Sequence, residues 1–132
     1  MDIPRILAGT LAVNRIAFGA GYVIRPESAE KSWLGKVARV PATKVMTCSQ
    51  GIRDVVLGAG ALLALTRGQA RDARIWVAGH ALADATDFAA TWAARKRLPK
   101  RAARLALGVA GASTAIGAAA AAGIEKGPGP SP

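Results

Sequence analysis

Twenty consecutive residues without a charge, Leu105 to Ile124, are the feature that most constrains this chain. A stretch of that length and polarity is long enough to cross a bilayer as a helix. Three further segments resemble it in length but carry charge near their middles. The first, Arg5 to Ile24, is apolar apart from Asn14 and Arg15 and stops before Arg25-Pro26, since a residue preceding proline is pushed out of the helical region. The second runs from after Pro41 to about Thr66, and the third from Ala73 to Ala94. All four show helical rather than alternating spacing, and alanine and leucine favour helix. The expectation is an all-α chain, a four-transmembrane-helix bundle.

Pro26 to Val40 is different. Pro26, Glu27 and Glu30 suit the start of a short helix, and Trp33, Leu34, Val37 and Val40 share one face with lysines and arginine elsewhere. This predicts a short interfacial amphipathic segment between the first and second long helices. Residues 1–126 are expected to form one integral membrane domain, with 127–132, GPGPSP, as a disordered tail.

Each central charge opposes insertion by about 2.5–3.5 kcal/mol. The competing class is a soluble basic bundle that binds nucleic acid, which a net charge of +10 would suit. Three features favour the membrane. Tyr22, Trp33, Trp76 and Trp92 lie near segment ends, as interfacial aromatics do. Glycines recur inside the helices, where they weaken a soluble helix but let membrane helices approach closely. Ala106, Ala110, Thr114 and Ala118 form a small-residue stripe at four-residue spacing on the last helix, a packing face unless it merely reflects alanine richness. The basic residues border the apolar spans with no interleaved aromatics, so no nucleic-acid partner is expected.

Topology follows from lysine and arginine. The connections 25–50 and 95–104 hold eleven, against five in the termini and the remaining loop. Basic loops favour the cytoplasm, which places loops 25–50 and 95–104 inside a plasma membrane and both termini outside. The Asn14-Arg15 pair breaks the apolar region that a signal peptide would need.

Six ionisable residues fall at membrane depth: Arg15, Arg53, Asp54, His80, Asp84 and Asp87. His80, Asp84, Asp87 and Thr91 follow at i, i+4, i+7 and i+11, which is one stripe of a helix. Such a stripe faces the bundle interior, because exposing it to lipid is expensive. Two arginines and three aspartates leave one negative charge, which a protonated His80 or one protonated aspartate would cancel. Arg53 is expected to pair with Asp84 or Asp87, and Asp54 with Arg15 or the Asn14 amide, since adjacent side chains leave a helix about 100° apart. Several readings stay open: a structural ion-pair core, a polar site for a small molecule, lipid headgroup or proton, a subunit that docks a partner or its own copies through helices, and an acid–base pair of His80 and Asp84.

Catalysis has little support. One histidine and one cysteine exclude the common zinc clusters, and no phosphate-binding loop, nucleophile elbow or dinucleotide fingerprint is present. No metal or cofactor is expected. Cys48 reads most simply as a small inert residue, although neighbouring cations could activate it.

Arg15, the Gly51-Ile52-Arg53-Asp54 block and the Asp84-Ala85-Thr86-Asp87 block together resemble small bacterial four-span proteins, loosely similar to the DoxX-like superfamily. The resemblance covers about residues 5–124. It implies a four-helix integral membrane protein and no established activity, so it transfers no catalytic residue.

Overall fold

The computed structural model describes residues 2–124, the side chains of 32–34 excepted. The disordered tail expected at 127–132 lies outside the described residues, as do the Trp33 and Leu34 side chains of the amphipathic face.

Every element among the described residues is helical: α1 (Ile3–Ile24), α2 (Pro26–Leu34), a 3₁₀ turn (Gly35–Arg39), α3 (Pro41–Thr66), α4 (Ala70–Ala94) and α5 (Lys100–Gly123). The four long helices alternate in direction and close a ring in which α1 packs on α3, α3 on α4, α4 on α5 and α5 on α1. The short α2 and its 3₁₀ turn sit at the end where α1 stops and α3 begins. Helices α1, α3 and α5 are long and apolar enough to cross a membrane, whereas α4 is outside that set.

The ring is built on small residues. The buried positions of α1 are Ala8, Ala12, Arg15 and Gly19, and those of α3 include Gly51, Asp54, Gly58 and Ala61. Both series advance by alternating steps of three and four, the seam that lets two helices stay in contact along their length. A Cβ at Gly19 would meet the Gly51 carbonyl oxygen at 2.6 Å, a Cβ at Gly51 would meet that of Gly19 at the same distance, and a Cβ at Gly58 would lie 2.7 Å from the Ala12 oxygen. The two backbones therefore touch at two levels, and Arg15 and Asp54 face each other between them.

Large apolar side chains point outward instead. Val13, Val56, Ile75 and Leu82 are exposed, while the buried core is mostly alanine, and its largest fully buried side chains are only Ile124, His80 and Val77. A soluble bundle would bury the large residues. Small residues inside and large apolar ones outside suit packing in lipid, where close backbone approach rather than apolar burial drives association.

Two boundaries differ from the sequence reading. Helix α4 begins at Ala70 rather than Ala73, so Arg71 and Asp72 belong to its first turn rather than to the polar turn before it. The α3–α4 turn is short because Gly68, at φ 69°, closes α3: Gly68 N donates to Leu65 O at 3.2 Å and Gln69 N to Ala64 O at 2.9 Å. Helix α5 begins at Lys100, since burial of Ala102 and Ala103 extends it back to Pro99. Its packing face also departs from strict four-residue spacing. Ala102, Ala103, Gly117 and Ala120 are buried, whereas Ala118 is exposed.

Candidate functional site

Arg15 sits at the middle of α1, buried at 8% exposure. Its Nη1 donates to Asp54 Oδ1 at 2.6 Å, and its Nη2 pairs with Asp84 Oδ1. The same Nη2 lies 3.5 Å from the His80 carbonyl oxygen. One guanidinium thereby ties α1 to both α3 and α4. The planar fork of arginine makes this possible, because its two terminal nitrogens reach different carboxylates.

Arg53 takes a second set of contacts. Nη1 and Nη2 donate to Asp87 Oδ1 and Oδ2 at 3.1 and 2.7 Å, the two-pronged geometry of a strong arginine–carboxylate pair. Its Nε and Nη2 also lie 3.3 Å from Asp54 Oδ1. Sequence spacing suggested that Arg53 and Asp54 part company as they leave α3. The long arginine side chain instead bends back, and Asp54 Oδ1 becomes the junction of both arginines.

Of the six residues singled out from the sequence, five join this network. His80 joins only through its backbone. Its ring is buried at 1% exposure, and neither imidazole nitrogen has a hydrogen-bond partner among the described residues. The Arg15 Nε is likewise unpartnered. Thr86 turns away and donates to Leu82 O on its own helix, at 2.9 Å.

Ser113 was not anticipated. Its hydroxyl donates to Asp84 Oδ2 at 2.5 Å, bringing α5 into the cluster. Ser113 and Thr114 are the only hydroxyls between Leu105 and Ile124, which is the signal that would have found it. Glu30 on α2 was also missed. It accepts from the Thr47 hydroxyl at 3.3 Å, and burial pushes its carboxyl above the ordinary carboxylate range, against the opposing pull of that hydrogen bond. Nearby, Lys44 pairs with Glu27, which holds that carboxyl below its usual value. Cys48 is half-buried with Sγ 3.8 Å from the Tyr22 carbonyl oxygen.

A cavity of about 530 Å³ opens beside the cluster. Its inner end is formed by Leu11, Arg15, Asp84 and Ser113, and its outer end by Tyr22, Glu30, Leu98 and Ala102. The outer residues belong to the end of the bundle where α2 lies. Asp54, Asp87 and Asn14 also line it, so Asn14 faces this space instead of pairing with Asp54. The remaining walls are largely apolar, with Phe18, Val109 and several alanines. His80 is not among the lining residues. Among the described residues, no three histidine, cysteine or carboxylate groups are arranged to hold a metal ion.

No protein family matches the chain, and neither a curated relative nor a solved structure is similar to it.

Proposed function

We propose that this chain is a four-span integral membrane protein that holds a small molecule or lipid at membrane depth, in the cavity beside Arg15 and Asp84. One observation carries the reading. A space of about 530 Å³, within the range typical of ligand pockets, is walled by alkyl and aromatic groups and ends on a buried ionic cluster. Ionisable groups inside a membrane bundle ordinarily mark a binding or transport path.

In this reading α4 is the fourth span. Its two mid-helix carboxylates, Asp84 and Asp87, pair with Arg15 and Arg53, which reduces the penalty of their charge. The basic residues of 25–50 and 95–104, in the two connections and the first turns of α3 and α5, favour a cytoplasmic α2 end with both termini outside a plasma membrane. The cavity then opens toward the cytoplasm. We further propose kinship with the small four-span proteins loosely similar to the DoxX-like superfamily, whose two motif blocks here supply Arg53, Asp54, Asp84 and Asp87.

Native mass spectrometry of the detergent-purified protein tests the binding reading. The expected result is a non-covalent adduct in the small-molecule or lipid range that Ala106→Phe, which fills the cavity, removes. An adduct-free spectrum for wild type, with Asp84→Asn changing stability only, would support the second reading, a structural ion-pair core. That reading has its own observation, since all four terminal nitrogens of the two arginines already engage carboxylates.

A further inference from the structure

The contents of the cavity can be narrowed by counting charges and free lone pairs. Two arginines and three aspartates share the cluster, so with every carboxyl ionised and His80 neutral it carries one negative charge more than it neutralises. Both Asp87 oxygens are held by Arg53, and both Asp84 oxygens are held, one by Arg15 and one by Ser113. Asp54 differs. Its Oδ1 takes every contact from Arg15 and Arg53, while Oδ2 has no hydrogen-bond partner among the described residues. Asp54 is buried at 8% exposure and lines the cavity. Oδ2 is the Asp54 oxygen left for a donor arriving through the cavity, and a carboxylate oxygen without one is expensive in a water-poor setting.

The outer end repeats the pattern. Glu30 lines the cavity, has one oxygen on Thr47, and forms no ion pair among the described residues. Between these two carboxylates the wall offers the Tyr22 and Phe18 rings and alkyl groups. The single lining cation, Arg15, is already divided between Asp54 and Asp84. An anion entering this space would find both terminal nitrogens of Arg15 engaged and its one unpartnered nitrogen, Nε, enclosed out of reach. A cation would find an unsatisfied acceptor, a net negative field and aromatic faces that attract it.

Resting on the cavity-binding reading above, we propose that the site takes a monovalent organic cation, a protonated amine with an apolar alkyl or aryl body. Its ammonium donates to Asp54 Oδ2 and brings the cluster to neutrality. Its apolar body lies along the α1 and α5 walls toward Glu30.

Three probes of matched size decide the matter: phenethylammonium, 2-phenylethanol and phenylacetate, titrated calorimetrically at neutral pH into the purified protein in detergent. Phenethylammonium is expected to bind about tenfold tighter than 2-phenylethanol, the value of a charge-assisted hydrogen bond over a neutral one, and phenylacetate weakest. Glu30→Gln, which touches only the outer end, is expected to weaken the amine about two- to fivefold while leaving the alcohol unchanged. Ala106→Phe is expected to abolish binding of all three. If the alcohol or phenylacetate binds as well as the amine, the charge assignment is overturned and the cavity reading stands. If none of the three binds wild type, both fall. Amine binding that survives Ala106→Phe places the cation outside the cavity and overturns the proposal.

Discussion

Arg15 is the residue on which the bundle turns. Its side chain is enclosed and its two terminal nitrogens serve carboxylates on two different helices. Removing one partner of such a buried pair leaves the other uncompensated, which typically destabilises by about 3–5 kcal/mol. Asp54→Asn is therefore expected to lower stability by that order in mixed-micelle SDS unfolding. Arg15→Lys is expected to rescue only part of the loss seen in Arg15→Met, since an ammonium is a point charge and cannot span both carboxylates. Asp87 is about one-third exposed, so Asp87→Asn should lose less, on the order of 1 kcal/mol. Equal losses at Asp54 and Asp87 would contradict the placement of the cluster's centre at Arg15. Glu30 behaves in the opposite sense. Burial raises its folded pKa, so the stability it contributes is fully present below the ordinary value of about 4.3 and lost as pH rises through the folded value. Glu30→Gln is expected to remove that falling limb from a melting-temperature profile between pH 4 and 8, with neutral-pH stability equal to or above wild type. A variant profile that keeps the limb would assign it to another group.

At the scale of elements, the α1–α3 contact depends on the absence of side chains. Gly19 and Gly51 face each other so closely that a single methyl on either would overlap the other's carbonyl oxygen. Gly108 on α5 has nothing within 4 Å of its missing Cβ. The same substitution should thus act with opposite sign at the two sites. Gly51→Ala is expected to destabilise by about 1–3 kcal/mol through overpacking. Gly108→Ala should gain up to about 1 kcal/mol from helix propensity. Detergent melting temperatures of the two variants check this directly. A neutral Gly51→Ala would mean that α1 and α3 do not approach through these glycines.

For the whole molecule, the distribution of apolar groups is the decisive property. A core of alanines under a surface of leucine, isoleucine, valine and phenylalanine is an arrangement that water would penalise and lipid would accept. The protein is expected to stay with the membrane pellet through alkaline carbonate extraction. Orientation is testable by replacing Cys48 with alanine and adding single cysteines at the C-terminus or at Arg97. A membrane-impermeant thiol reagent applied to intact cells should label the first and spare the second. The reverse pattern would overturn the assignment drawn from the basic loops.

Much of this was legible in the amino-acid sequence because it depends on local periodicity and charge. Segment length and the missing charges of 105–124 determined that long helices form and that they suit a membrane. The steps from His80 to Asp84, Asp87 and Thr91 determined which face of α4 turns inward, because helical geometry alone sets that direction. Charge opposition narrowed Arg53 to Asp84 or Asp87 and Asp54 to Arg15 or Asn14, while the choice of Asp87, the choice of Arg15 and the added Arg15–Asp84 pair came from the packing of the helices. Tertiary structure decided the rest. Nothing local to α3 shows that Arg53 bends back onto Asp54, since that requires a rotamer chosen by Asp87 across the bundle. Nothing local to α5 selects Ser113 over Thr114, which bonds its own helix at the Ala110 carbonyl. The face of α5 drifted from its four-residue stripe because contact with α4 and α1 follows the seam of the bundle, with Gly117 against Ala81 and Gly123 against Pro4. The cavity is the clearest case. It is bounded by residues from Leu11 to Ser113, on every helix of the molecule. A void of that kind is defined by where packed helices fail to meet, which depends on all of their crossings at once.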